Sequence, residues 1–180
     1  MEKIYKDIER VLISKEEIAK RVKEIGAAIT KDFAGEEIVV VSVLKGSSVF
    51  MSDLIREIDL PIDIDFLVAS SYENTTSSGN VQIIKDINID VENRVVIIVE
   101  DIIDSGLTMY NLTQLFNVRK CKEFKICTLL DKQERRRAPV KADYIGFDVP
   151  NEFVVGYGLD YNGKYRNLPE ICVLKPEIYE

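Results

Sequence analysis

The chain has 180 residues, 46% of them apolar, with a formal charge of -7 and no histidine. That is enough apolar material for one sizeable core, so residues 1–180 read as a single domain. The longest apolar runs, residues 38–41 and 95–99, fall far short of the roughly 20 residues a membrane-spanning helix requires. The first residues show no secretory signal, so a soluble cytoplasmic protein is expected, with no membrane partner. The acidic balance gives no whole-chain attraction to nucleic-acid phosphates. Cys121, Cys127 and Cys172 form no metal-binding pattern and read as reduced, packed thiols. Without histidine, proton transfer near neutral pH falls to a carboxylate, lysine, tyrosine or cysteine.

Ser14 followed by Glu17 forms a capping box, and Ile18, Val22, Ile25 and Ile29 recur at helical spacing, so a helix is predicted over residues 15–33, ended by Gly35. The run EIVVVSVL reads as a strand buried on both faces. After LKGSS, a second helix is expected from Val49, Leu54, Ile55 and Ile58, and Pro61 separates it from a strand beginning near Ile62. Residues 70–79, SSYENTTSSG, read as a long mobile loop followed by the strand VQIIK. VVIIV, a helix starting near Leu107, and FKICTLL continue the alternation, and DYIGF, FVVGYG and ICVL are shorter strands. The expected fold is α/β, a mostly parallel sheet flanked by helices, with the short C-terminal strands forming an appended lobe.

In an open parallel sheet ligands meet the C-terminal ends of the strands, which places Glu100 and Asp101, directly after Val99, at a cleft. Two adjacent acids there are costly to bury unpaired and point to a metal, a diol or a basic partner. Asp104, Ser105, Gly106, Leu107 and Thr108 offer hydroxyls and backbone N–H groups at a helix start, an arrangement suited to a phosphate dianion. A plain helix cap accounts for Asp-Ser-Gly equally well, but not for Glu100 and Asp101. Neither GxxxxGK[ST] nor GxGxxG occurs in the chain.

The segment VVIIVEDIIDSGLT resembles the phosphoribosyl-pyrophosphate signature of the type I phosphoribosyltransferases. The chain resembles the hypoxanthine-guanine members over nearly its whole length, from VVVSVLKGS through SSYENTTSSG and LLDK to FVVGYGLDYNGKYRNLP. The resemblance implies the type I fold with a small hood lobe, to which the C-terminal third contributes. It also implies purine salvage by magnesium-dependent transfer of the 5-phosphoribosyl group from phosphoribosyl pyrophosphate to hypoxanthine or guanine, giving IMP or GMP and pyrophosphate. By resemblance Glu100 and Asp101 hold the ribose hydroxyls and Mg2+. Asp104 to Thr108 cradle the 5′-phosphate, and Asp104 accepts the proton near N7 of the purine. Leu44, Lys45 and Gly46 bind pyrophosphate, together with Arg166. Lys132 meets the purine 6-oxo group, Ile102 and Phe153 take the two faces of the ring, and the backbone of Val154 its edge. Asp160 contacts a second magnesium near the purine C2, while Ser71 and Tyr72 belong to a loop that closes over the substrates. Relatives assemble as homodimers or homotetramers, and that assembly is expected here.

Blander readings stand beside these. Lys45 and Lys132 also fit solvated loop lysines, and Phe153 and Val154 fit the core of an apolar strand. Arg135, Arg136 and Arg137 fit a solvated basic face, and spacing does not choose among them. A sibling transferase for xanthine and an RNA-binding regulator on the same fold are the rival functions. The acidic charge, with Lys132, Phe153 and Asp160, weighs against the second.

Overall fold

The capping box forms as the sequence predicts. Ser14 Oγ accepts from the Glu17 amide, the Glu17 carboxylate accepts from the Ser14 amide at 2.9 Å, and the helix runs from Lys15 to Asp32. A computed structural model describes residues 2–71 and 81–179. In chain order its elements are α1 (Glu2–Tyr5), β1 (Ile8–Ile13), α2 (Lys15–Asp32), β2 (Ile38–Val43), α3 (Ser47–Leu54), β3 (Ile62–Ser71) and β4 (Val81–Lys85). They continue with β5 (Val95–Ile103), α4 (Leu107–Val118), β6 (Glu123–Asp131), β7 (Tyr144–Asp148), β8 (Val154–Val155), β9 (Ile171–Leu174) and α5 (Pro176–Tyr179).

Six strands form the main sheet in the order β4-β3-β2-β5-β6-β7; all neighbours pair in parallel except the antiparallel β3–β4 pair. Strict alternation along β2 and β5 divides the core. Ile38, Val40, Val95, Ile97 and Val99 pack with the apolar face of α2 and with Phe50 and Leu54 of α3. Val39, Val41, Val96 and Ile98 pack with Met109, Leu112 and Phe116 of α4 on the opposite side. All of these positions are buried, as a parallel sheet covered on both faces requires.

Several details differ from the sequence expectation. α2 stops at Asp32 with Phe33 as its C-cap, two residues before Gly35, which takes a left-handed turn. α3 starts earlier than its apolar spacing suggests, at Ser47, and tightens into a 3-10 turn over Ile55–Glu57. β3 absorbs Ser70 and Ser71, and residues 72–80, including Tyr72 and most of the expected loop, lie outside the described residues. β7 is not in an appended lobe but pairs with β6 in the main sheet. The lobe is a three-stranded antiparallel sheet, β1-β9-β8, and its first strand comes from the N-terminus. β1 is short and exposed along its middle, so it gave no apolar signal of its own.

The β3–β4 hairpin, which leads into and out of residues 72–80, is tied at its base by Asp65. This residue is 7% exposed, and its carboxylate accepts from the amides of Phe66, Asn88 and Ile89 at 2.7, 2.6 and 3.2 Å, with Lys85 Nζ at 3.3 Å. Burial pushes its pKa up, but the three amides and Lys85 outweigh burial and hold it below the usual carboxylate range. Asp65→Ala leaves those amides unpaired and is expected to cost about 2–4 kcal/mol at pH 7, a fall in Tm of about 5–12 °C. A lowered folded-state pKa contributes stability above about pH 4 and loses it as pH falls through the folded value, so the deficit narrows in acid. Thermal melts of both proteins from pH 3.5 to 7 check this; equal Tm at pH 7 contradicts it.

Candidate active site

The order of the main sheet reverses direction between β2 and β5: β3 lies outward from β2 on one side, β6 and β7 outward from β5 on the other. Such a switch point opens a crevice beyond the C-terminal ends of the two strands. β2 ends at Val43, level with the residue after Val99, whereas β5 continues beside β6 as far as the Ile103–Asp131 pair. Glu100 and Asp101 therefore lie within the strand, not after it, on a stretch that has lost one neighbour.

Alternation sends the two acids to opposite sides. Glu100 lines a cavity of about 110 Å³ with Ile102, Ile103, Asp104, Ser105, Gly106, Thr108 and Met109. Its Oε2 is closed off from solvent and has no hydrogen-bond partner among the described residues. Burial, then the neighbouring Asp101, pushes its pKa well above the ordinary carboxylate value. Asp101 turns toward the Leu44–Gly46 turn. A Cβ on Gly46 would lie 1.6 Å from Asp101 Oδ2, so only glycine lets the turn approach the carboxylate this closely. Asp101 Oδ1 accepts from the Ile102 amide at 2.8 Å. Burial raises its pKa to about 6 against the opposing pull of that amide and of Arg166, with Asp160 adding to the rise.

The turn itself has a cis Leu44–Lys45 peptide. Beneath it Ser42 and Ser47 are both fully buried, their hydroxyls 2.7 Å apart, and Ser47 Oγ donates to the Val43 carbonyl at 2.5 Å. Ser47 thus fills the space after the glycine with a hydrogen bond that pins the end of β2. Lys45 is exposed. Across from the turn, Arg166 Nη2 lies 2.5 Å from Asp160 Oδ1 and Nη1 donates to the Gly158 carbonyl at 2.6 Å, while Asp160 Oδ2 accepts from the Gly163 amide at 2.8 Å. The Gly46 carbonyl is 2.1 Å from where a Gly158 Cβ would sit, so the two loops abut. Gly46, Asp101, Asp160 and Arg166 form one cluster, which Lys45 adjoins through the turn.

The second cluster follows β5. Gly106 adopts φ +80°, unfavourable for other residues, and α4 begins there without a side-chain cap, its N-terminus at the cavity that Glu100 lines. Ser105 Oγ accepts from the Leu107 amide at 3.4 Å, and the Ser105 carbonyl accepts from the amides of Arg137 and Ala138. Asp104 has Arg135 Nε 3.0 Å from Oδ1, an ion pair too poorly aligned to count as a hydrogen bond. Lys132 is 6% exposed; its amide donates to the Ile103 carbonyl and its Nζ to the Glu152 carbonyl at 2.7 Å. Burial lowers its pKa and the nearby Asp104 opposes that. Lys132 is therefore neither a solvated loop lysine nor freely exposed at the cleft, but a buried cation beside Asp104.

The arginine run, which spacing did not resolve, separates in the structure. Arg136 pairs with the buried Asp131 and donates to the carbonyls of Val140 at 2.7 Å and Asp104 at 3.3 Å, fixing the backbone of the loop, while Arg135 faces the Asp104 carboxylate. Ile102 and Phe153 do not share a packing cluster. Ile102 leans on the α2/α3 side of the core, as does Val154, and Phe153 lies in the small lobe with Tyr161 and Tyr179. FVVGYG is strand only at Val154–Val155.

Residues 12–162 match the family model described as phosphoribosyl transferase domain. The chain is 57% identical over 175 residues to the hypoxanthine-guanine phosphoribosyltransferase of Bacillus subtilis, covering 97% of each. It is 53% identical over 179 residues to the bifunctional protein TilS/HprT of Listeria innocua, where it corresponds to 28% of that protein's length. A crystal structure of a hypoxanthine phosphoribosyltransferase from Staphylococcus aureus superposes with a TM-score of 0.95 at 50% identity, covering 98% of this chain and 97% of that one.

The raised pKa values have a direct consequence. A carboxylate whose folded-state pKa is raised binds more protons folded than unfolded, so its stability contribution is greatest below about pH 4 and is lost as pH rises through the folded value. Asp101→Asn keeps the oxygen that accepts from the Ile102 amide and removes the charge. It is expected to raise the Tm of ligand-free protein at pH 7.5 by about 2–8 °C, the gap closing below about pH 4. Equal Tm at pH 7.5 would remove the desolvation argument.

Proposed function

The chain belongs to the phosphoribosyl transferase family and, within it, to the hypoxanthine-guanine phosphoribosyltransferases, and from that premise we propose how its residues divide the work. The activity is purine salvage: transfer of the 5-phosphoribosyl group from phosphoribosyl pyrophosphate to hypoxanthine or guanine, giving IMP or GMP and pyrophosphate. The observation that carries the division of roles is the overhang of β5 at the switch point. It places one buried acid on the helix-start side and the other against a glycine turn.

On the helix-start side, Ser105, Gly106, Leu107 and Thr108 cradle the 5′-phosphate with the N-terminal amides of α4. Glu100 and Asp101 hold the ribose hydroxyls. On the turn side, Lys45, Gly46 and Arg166 receive pyrophosphate. Asp104 accepts the purine proton, and in a chain without histidine a loop aspartate is the sound choice for that task. Lys132 spends one donor on the Glu152 carbonyl. An ammonium has three donors and no acceptor, so what remains suits a 6-oxo group and not an amino group. Ile102 and Phe153 bracket the base, and the Val154 backbone meets its edge. Ser71, the last residue of β3, and Tyr72, which lies outside the described residues, are assigned to substrate closure by the family resemblance alone. The chain works as one domain whose C-terminal third supplies the purine-binding hood, in the cytoplasm, as a homodimer or homotetramer, with no nucleic-acid or membrane partner. No helix among the described residues is long and apolar enough to cross a membrane.

The orphaned Glu100 Oε2 beside the strained ionisation of Asp101 fits a hard divalent cation, and magnesium prefers such oxygen donors while retaining waters and substrate oxygens. Asp101, with Asp160 joining at the expense of its Arg166 pair, would hold it from the turn side and Glu100 from the helix-start side, with substrate oxygens and waters completing the shell, because no three acids among the described residues group closely enough to hold an ion by themselves. A bound Mg2+ would supply positive charge to offset the negative charge on departing pyrophosphate. Arg166 and Lys45 add fixed positive charge at the same end, and Asp104 takes up the proton that the base loses.

An ultraviolet assay with phosphoribosyl pyrophosphate, Mg2+ and each purine is expected to show turnover of hypoxanthine and guanine but not adenine; no turnover of any purine contradicts the reading. In the same assay Asp104→Asn is expected to lower kcat by ~10²–10⁴ with a modest effect on KM. Unchanged kcat would remove Asp104 from proton transfer.

A further inference from the structure

Phe153 lies just before the two-residue β8, and its carbonyl accepts from the Leu174 amide at 2.9 Å. That bond fixes the backbone but leaves the ring free to turn. The ring is held by two other aromatics. Tyr179 stacks on it with centroids 4.7 Å apart and planes 20° from parallel, and Tyr161 meets it edgewise at 5.4 Å and 89°. Tyr179 is the last residue of α5, a single turn that has too few residues to matter as a helix but is well tethered. The Lys175 amide donates to the Asp7 carbonyl at 3.0 Å, Lys175 Nζ to the Lys6 carbonyl at 2.7 Å, and the Ile178 amide to the Lys175 carbonyl at 3.0 Å. Ile178 and Tyr179, like Ile4 and Tyr5 from the N-terminus and Phe153 itself, pack against one buried cluster of the small lobe. Residues near both ends of the chain therefore pack against the cluster that Phe153 joins.

We propose that Tyr179 is a positioning residue for the purine: it covers one face of Phe153 and sets the ring so that the other face is presented to the base, giving a three-layer stack of base, Phe153 and Tyr179. This rests on the assignment of Phe153 to the purine made above. Aromatic rings favour such offset stacks, and a platform already ordered spares the base the loss of ring freedom on binding. Tyr161, next to Asp160, supports the ring's edge and links the platform to the Asp160–Arg166 pair.

Steady-state kinetics of the full chain, with KM measured separately for hypoxanthine and phosphoribosyl pyrophosphate, test it. Tyr179→Ala is expected to raise the hypoxanthine KM about three- to tenfold while the phosphoribosyl pyrophosphate KM and kcat stay within about twofold. Tyr179→Phe, which keeps the ring and loses only the hydroxyl, is expected to match the parent. Tyr179→Leu keeps apolar bulk without a ring, guards against a folding defect, and carries the same expectation as alanine. Phe153→Leu separates the two levels. If it raises the hypoxanthine KM and Tyr179→Ala does not, Tyr179 has no positioning role. If Phe153→Leu leaves that KM unchanged, the purine assignment of Phe153 falls first. A lower hypoxanthine KM in Tyr179→Ala also overturns the proposal, because Tyr179 would then cover the face the base needs.

Discussion

Desolvation of Glu100 and Asp101 at the end of β5 is the cost around which the neighbouring chain is arranged. A parallel sheet covered on both faces favours apolar residues along its middle, and the five residues from Val95 to Val99 are all apolar and buried. Where β2 stops, the next two positions of β5 carry carboxylates on opposite sides. Neither is fully compensated within the chain: Glu100 Oε2 has no described partner, and Asp101 has one amide and the distant influence of Arg166. Buried charge left in that state favours the protonated form or a ligand. The glycine turn at Gly46 and the uncapped start of α4 leave room for such a ligand on either side.

The remaining site residues are held by each other more than by regular structure. Arg136 binds Asp131 and the backbone of Asp104 and Val140, tying the end of β6 to the loop after β5. Lys132 adds the Ile103 and Glu152 carbonyls, reaching from the main sheet into the segment before β8. The small lobe is fastened by residues far apart in sequence: Tyr165 donates to Asp7 at 2.9 Å and Tyr5 to Glu170 at 2.6 Å. The segment just before its N-terminal strand thereby secures the loop that carries Asp160 and Arg166.

The sequence made the main sheet legible because burial on both faces writes itself as continuous apolar runs, and the capping box made α2 legible because its chemistry is local. Glu100 and Asp101 were legible for the opposite reason, as charges where apolar residues were due. What escaped was non-local. β1 has no pattern until β9 pairs with it, and β7 joins the main sheet by a register that no local signal specifies. The overhang of β5 depends on where β2 ends, so the strand continued past the point at which its apolar residues stop. Arg135 and Arg136 differ only in which way a short 3-10 turn directs them, and the aromatic neighbours of Phe153 come from the far end of the chain.

The ionisation of the two strand acids is the most direct point of contact with experiment. A carbon-13 NMR titration of the side-chain carboxyls of ligand-free protein is expected to place Asp101 at about 6 and Glu100 well above the ordinary carboxylate value. Adding Mg2+ with phosphoribosyl pyrophosphate should bring both back into or below the usual range, because a bound cation favours the ionised form. Midpoints near 4 for both residues in the ligand-free protein would contradict the account, since the overhanging end of β5 would then carry no uncompensated charge for a ligand to relieve.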